Sequence, residues 1–400
     1  MVELCDDITG YCVNVGRVIG KLYSGEKGPT IIFTAGIHGN EPSGIFAIDR
    51  VFSMIESEKI KFKGSVYGLS GNLSALSLGE RYLKSDLNRL WTYERMNSLK
   101  SKLNGNYVDD EREQVELFNE IQNILKTESG PFYFFDLHTT SSETNPFLTV
   151  NDCLVNRKFA NLFPIPMILG IEEYLDGPLL SYINELGYVA FGFEGGSHND
   201  HSSIDNHEAF ILLSLVYSGS IRKKSIDYYK YYDRLAKTSH DSHEIFEIFY
   251  RFEIDDIGKF RMKPGFVNFQ KIRKGTYIAK YNGVKIKAKE SGRVFMPLYQ
   301  NQGEDGFFLI REVNPFFLHL SARIRKMKLD RMLPLLPGVK WFDKEDGVLE
   351  VNTKIARFFA RKFFHLFGYR AKSISQNKYL MRNREKASRS KDYENERFYQ

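Results

Sequence analysis

TAGIHGNEPSG, residues 34–44, follows the apolar Ile31, Ile32 and Phe33 and precedes the amphipathic run IFAIDRVFSMI. The pattern predicts a buried strand over 30–36, a turn, and a helix over 41–57, which is one unit of an α/β sheet. Pro42 suits a first helical turn and Asn40 suits the N-cap. The turn also sets His38 and Glu41 three residues apart at the end of the strand. In α/β sheets, ligand sites gather at the carboxyl ends of strands.

The same texture continues to about residue 225. Strand-like runs cover 64–70, 131–138, 164–170 and 187–194, and helical patterns cover 110–127, 177–186 and 205–218. Several strands are apolar at consecutive positions, as expected where helices cover both faces of a sheet. From about 245, short β-like pieces alternate with Gly, Asn and Pro, which predicts a smaller all-β unit. The expected organisation is a catalytic domain over 1–238, a β-rich cap domain over 239–337, and a basic tail over 338–400. In the tail, Ile355, Phe358, Phe359, Phe363, Leu366 and Phe367 fall near helical spacing, with Arg357, Arg361 and Lys362 elsewhere around the helix. Such a helix docks on its own protein or, alternatively, on an anionic membrane surface or a partner. The composition of 373–400 predicts disorder.

The 400 residues carry a formal charge of +6, but the excess is local. Residues 351–400 hold 13 Lys+Arg against 4 Asp+Glu, which leaves 43 basic and 46 acidic residues in the body. A near-neutral body gives no support to nucleic-acid binding. No apolar run approaches the length of a bilayer span, and the N-terminus lacks the basic and apolar regions of a secretory signal. Cys5, Cys12 and Cys153 form no CxxC pattern, so a reducing cytoplasm is the simplest reading.

Three predicted strands end in residues suited to catalysis: His38 with Glu41, His138, and Glu194. Two imidazoles and one carboxylate make up the ligand set of catalytic zinc sites that keep a fourth position open. Zinc lowers the pKa of a water and polarises a carbonyl, and a separate carboxylate then handles the proton, a role that suits Glu194. Each residue alone has a bland reading as a surface or cap residue; their shared strand-end position favours the metal. Asp136 is either a carboxylate behind His138 or a polar strand end. RYLKSDLNRLW, residues 81–91, supplies Arg81, Asn88 and Arg89, which suit a substrate grip or a surface loop. His198, His201 and His207 belong to a polar loop before a helix, or to the pocket and a second metal site. Thr139, Thr140, Ser141 and Ser142 form a turn or line the pocket.

GIHGNE, SDLNR, FDLHTT and GFEGG, in this order and at these separations, resemble the succinylglutamate desuccinylase/aspartoacylase family, which has a zinc carboxypeptidase-like fold. The resemblance covers about residues 30–330. It implies a mixed-sheet α/β catalytic domain, one Zn2+ per chain, and hydrolysis of an N-acyl amino acid or related small carboxylate at an amide or ester bond. It implies His38, Glu41 and His138 as zinc ligands and Glu194 as the catalytic glutamate. Arg81 matches the arginine that polarises the scissile carbonyl, and Asn88 and Arg89 match the pair that binds a substrate carboxylate. One departure is plain. Members that cleave acyl-aspartate carry a further Tyr and Arg upstream of the catalytic glutamate. Here GPLLSYINELGYVAFGFE offers Tyr182 but no arginine, which argues against strict aspartoacylase activity. The alternatives are a carboxypeptidase-like peptidase on short peptides and a non-catalytic metal-binding regulatory protein.

Overall fold

The structure is a computed structural model that describes residues 1–6, 9–101, 107–352, 354–355, 361–375 and 378–400. A mixed eleven-stranded sheet runs through the body. Its order is Lys271–Ile272, Gly292–Phe295, Asp305–Glu312, Ile245–Glu253, Met167–Leu169, Phe147–Val150, Val189–Ser197, Phe132–Thr140, Thr30–Ala35, Ser65–Ser70 and Val18–Tyr23. At its centre the Ser65, Thr30, Phe132 and Val189 strands are mutually parallel. Antiparallel pairing at Phe147 and at Asp305 makes the sheet mixed.

Alternation along the central strands divides two cores. Ile31, Phe33, Tyr133, Phe135, Leu137, Phe191 and Phe193 face the helices Ser43–Ser57, Leu154–Ala160, Ser202–Tyr217 and Tyr228–Thr238. Ile32, Tyr67, Phe132, Phe134 and Ala190 face Asp109–Thr127 and Leu179–Glu185. Helices on both faces account for the unbroken apolar runs of these strands. Each fully buried Phe side chain contributes about 1.5–3 kcal/mol relative to exposure.

The first helix begins at Ser43, with Pro42 at its N-cap position and no side-chain cap. Asn40 does not cap it; the Asn40 amide donates to Gln300 Oε1 at 2.9 Å. The helix expected over 205–218 starts earlier, at Ser202, and ends at Tyr217.

The β-rich segment differs from a free-standing cap. Its Ile245 strand pairs in parallel with Met167–Leu169, so four of its strands extend the catalytic sheet. Only Phe260–Met262, Tyr277–Tyr281 and Val284–Lys287 form a separate small sheet there.

In the tail, Val339–Asp343, Val348–Asn352, Lys378–Asn383 and Tyr369–Ser375 form a four-stranded antiparallel sheet. The expected helix appears at Arg361–Leu366, where Phe364 is buried and Phe363 and Phe367 pack against the tail's own core. Arg357, Phe358 and Phe359 lie outside the described residues. The segment read as disordered is folded where it is described, because some of its aromatic and charged residues find buried partners. Arg384 pairs with Asp152, Glu172 and Glu173, and Glu385 with Arg325. The Tyr393 hydroxyl donates to the Phe132 carbonyl and accepts from the Val189 amide at 2.9 Å. These bonds seal the starts of the two central strands.

Cys5 and Cys12 are opposite each other in the hairpin of Val2–Cys5 and Cys12–Val15 and are joined by a disulfide, whereas Cys153 is a buried thiol. The cysteines therefore lend no support to the cytoplasmic expectation. No described helix is long and apolar enough to cross a membrane.

Tyr393→Phe should cost about 1–3 kcal/mol, because it leaves a buried carbonyl and a buried amide without a partner. Urea unfolding of the two proteins measures it.

Candidate metal centre

Strand register assembles the site. Ala35 is opposite Leu137 across one parallel pair, and His138 is opposite Glu194 across the next. His138 and Glu194 therefore share a face, the same one as Asp136. The turn after Ala35 delivers the other residues, with Glu41 N–H donating to the His38 carbonyl at 3.1 Å. Gly39 is required there: a Cβ would fall 2.1 Å from the Ala75 carbonyl carbon. Gly195 is equally constrained, since a Cβ would lie 2.4 Å from the His207 ring.

His38, Glu41 and His138 come together as a buried group whose ligand atoms lie within 4.8 Å of one another. His38 Nδ1 is 2.9 Å from Glu41 Oε1, and His138 Nδ1 is 3.0 Å from Glu41 Oε2. The far nitrogens face carboxylates: His38 Nε2 is 3.2 Å from Asp86, and His138 Nε2 is 2.7 Å from Asp136. Asp136 also accepts from Thr34 Oγ1 at 2.6 Å. Each imidazole is thus oriented by a carboxylate behind it, with its Nδ1 turned inwards, the usual support of a metal-ligating histidine. The set fits a divalent cation such as zinc in donor chemistry and in burial. A second group, Glu3, Cys5 and Cys12, is exposed, and its two sulfurs are bonded to each other, so it offers no thiolate.

Glu194 lines the same cavity and is buried, and its Oε2 has no hydrogen-bond partner among the described residues. Burial pushes its carboxyl up to about 8; the His138 charge opposes the shift and the Glu41 carboxylate adds to it. Arg81 reaches Glu41 at 3.4 Å and Asp86 at 3.1 Å. Burial alone would raise the Asp86 carboxyl, but Arg81 and His38 together hold it well below the usual carboxylate range.

The loop that carries Arg81, Asp86 and Arg89 is shaped by Asp110, at the start of the Asp109 helix. Its carboxylate accepts from the amides of Leu83, Lys84 and Ser85 at 3.1, 2.7 and 2.8 Å. Asn88 lines the cavity while its Oδ1 accepts from the Leu179 amide at 2.9 Å, starting the Leu179 helix. Arg89 also lines the cavity and is ion-paired with Asp305.

Thr139, Thr140 and Ser141 line the cavity, and the Thr139 amide donates to Glu41 at 3.0 Å; Ser142 instead accepts from Asn268. Of the three later histidines only His198 lines the cavity, between Thr139 and Gln300. His207 is buried against the Ser203 and His138 carbonyls, and His201 meets Asp6, so the three do not gather. Tyr182 is not a cavity residue; its ring packs with Trp91 and Phe118 in the core. Asp110, Gln300 and Asp305 had no individual signal in the sequence. Asp86 alone had a cue, since it stands inside SDLNR.

The fold is a mixed α/β sheet with a buried His/Glu/His group, a candidate metal site, at the ends of its central strands. Residues 27–203 match the succinylglutamate desuccinylase/aspartoacylase catalytic domain model. Among curated relatives, succinylglutamate desuccinylase of Pseudomonas fluorescens is 41% identical over 66 residues, 16% of this chain and 20% of that one. The Pseudomonas putida enzyme of the same name is 37% identical over 68 residues, again 20% of its length. The matched stretch thus spans about a fifth of these relatives. Among solved structures, succinylglutamate desuccinylase from Chromobacterium violaceum superposes with a TM-score of 0.52 at 16% identity, covering 74% of this chain and 88% of that one. The ectoine utilization protein EutE (DoeB) from Ruegeria pomeroyi gives the same TM-score, identity and coverage. At such identity these structures establish the fold alone.

Two outcomes are expected. Asp86→Asn or Asp136→Asn should weaken zinc binding about 10- to 100-fold in a competitive chelator titration. The second concerns pH. The fold favours protonated Glu194, so the metal-free protein loses stability as pH rises from the ordinary 4.5 through about 8. Glu194→Gln removes that loss. Its melting temperature should exceed wild type by about 2 °C or more at about pH 8.5 and match it at about pH 4.

Proposed function

We propose that the protein is a zinc-dependent hydrolase that cleaves the acyl bond of an N-acyl amino acid or a related small acylated molecule. His38, Glu41 and His138 would hold one zinc ion per chain. Bound there, zinc supplies a Lewis acid that polarises a carbonyl and lowers the pKa of a water.

The observation that carries the reading is Glu194. It is a buried side chain with one unpartnered carboxyl oxygen, in the cavity of the His/Glu/His group. A group so placed takes a proton from water and returns it to the leaving amine. Its register with His138 holds it on the same strand pair as one of the residues that would hold the metal. Arg81, fixed between Glu41 and Asp86, has a guanidinium that meets negative charge developing on the carbonyl oxygen. Asn88 and Arg89 form the wall that the rest of the substrate meets.

Glu194→Gln should keep stoichiometric zinc by metal analysis and lose about 10²- to 10⁴-fold in kcat. The substrate is found first, by screening zinc-loaded protein over N-acyl amino acids, including succinyl and acetyl derivatives, beside short peptides. A Glu194→Gln protein turning over at the wild-type rate overturns the mechanism. Arg81→Gln should lower kcat by about 10²- to 10³-fold with little change in KM.

A further inference from the structure

Arg81 and Arg89 are the arginines among the residues lining the metal cavity, lysine is absent from that lining, and both arginines are already paired. Burial holds the cavity's His198 towards its neutral form. Arg81 is engaged on the metal side, which leaves Arg89 as the guanidinium able to read the distant end of a substrate. Its Nη1 donates to the Asn88 carbonyl at 2.9 Å, and its Nη2 donates to Asp305 Oδ2 at 2.7 Å.

Asp305 comes from the β-rich half of the chain and itself lines the cavity. Its other oxygen accepts from Arg251 Nε. Arg251 in turn reaches the Tyr174 carbonyl at 2.8 Å and Glu253 at 3.3 Å, away from the cavity lining. The charges of Arg89, Arg251, Asp305 and Glu253 balance, and exposed Glu304 adds a further negative charge on the cavity wall. Arg89 and Asp305 are 18% and 13% exposed in their side chains, so water screens their pairing little.

A substrate carboxylate brought to Arg89 therefore meets the Asp305 carboxylate on the same guanidinium, with no unpaired arginine or lysine in the lining to offset the repulsion. A carboxamide meets neither difficulty. Its carbonyl accepts from the guanidinium, and its N–H donates to the Asp305 carboxylate. The run before Glu194, GPLLSYINELGYVAFGFE, supplies no arginine either.

We propose that Asp305 is the specificity determinant of this cavity: it closes Arg89 to carboxylates, and the two together bind the neutral carboxamide end of the substrate. The proposal rests on the reading of the cavity as the substrate site of a zinc hydrolase, and it narrows the substrate class to acylated molecules with an uncharged amide at that end.

Succinamate and succinate share one carboxylate and differ in whether the far end is amide or carboxylate. Isothermal titration of each into the zinc-loaded full-length protein reads the preference without turnover. Wild type is expected to favour succinamate at least about tenfold, and Asp305→Asn to shift the ratio towards succinate by about tenfold or more. Arg89→Gln, which leaves Arg251 to hold Asp305, is expected to weaken succinamate at least about fivefold. Thermal melts establish that each variant is folded, and the Arg89 variant keeps the test open if the Asp305 variant is not. The proposal is overturned if wild type prefers succinate, if folded Asp305→Asn keeps the wild-type ratio, or if neither compound binds at millimolar concentration. A protein that shows the preference and its shift yet hydrolyses no acyl compound loses the hydrolase reading and keeps the subsite. One that hydrolyses without the preference does the reverse.

Discussion

The parallel register of three strands, Thr30–Ala35, Phe132–Thr140 and Val189–Ser197, is the constraint on which the rest of the site depends. It brings three carboxyl ends to one level and sets His138 directly opposite Glu194. Side chains alternate with a period of two, so a slip of one residue would turn His138, Asp136 or Glu194 onto the opposite face. Two buried cores prevent that slip, because each face of the same strands is committed to a different set of helices. The Thr34–Asp136 hydrogen bond adds a polar lock between neighbouring strands at the depth of the His38, Glu41 and His138 group.

The second half of the site is a loop, and loops need other means of support. Asp110 gathers three consecutive amides of the segment between Arg81 and Asp86, which fixes that segment without regular structure. Asp86 then serves two residues at once, orienting His38 and holding Arg81. The ligand shell and the guanidinium beside it are therefore coupled through one carboxylate. Among the residues lining the cavity, Glu41, Glu194, Glu304 and Asp305 stand against Arg81 and Arg89, and these six come from distant parts of the chain.

The convergence of His38, Glu41, His138 and Glu194 was legible in the sequence because each follows an apolar run that ends at the carboxyl end of a strand. The α/β class and most helices were legible for the same reason: periodicity reports burial. Asp110 and Asp305 were not, since an acidic residue on a helix start or a strand has many uses and only its partner decides among them. Asn40 looked like a cap by position, but Gln300, distant in sequence, takes its amide. Tyr182 looked like a site hydroxyl, yet helical phase turns it into the aromatic core. The β-rich segment read as a separate unit because strand texture does not encode which edge a strand joins. The end of the tail read as disorder because composition counts aromatic residues without knowing that Tyr393 has a buried place to go.

Tyr393 also bears on the order in which the molecule is put together. Its hydroxyl joins the starts of two strands that lie 261 and 204 residues earlier in the chain. Contacts of such separation form late, because the loop-closure entropy is met before the contact is gained. The strands that carry His138 and Glu194 leave the ribosome long before the residue that seals their opposite ends. The sheet must therefore stay correctly paired on its own cores until the segment around Tyr393 is made, and the starts of the two strands are sealed only then.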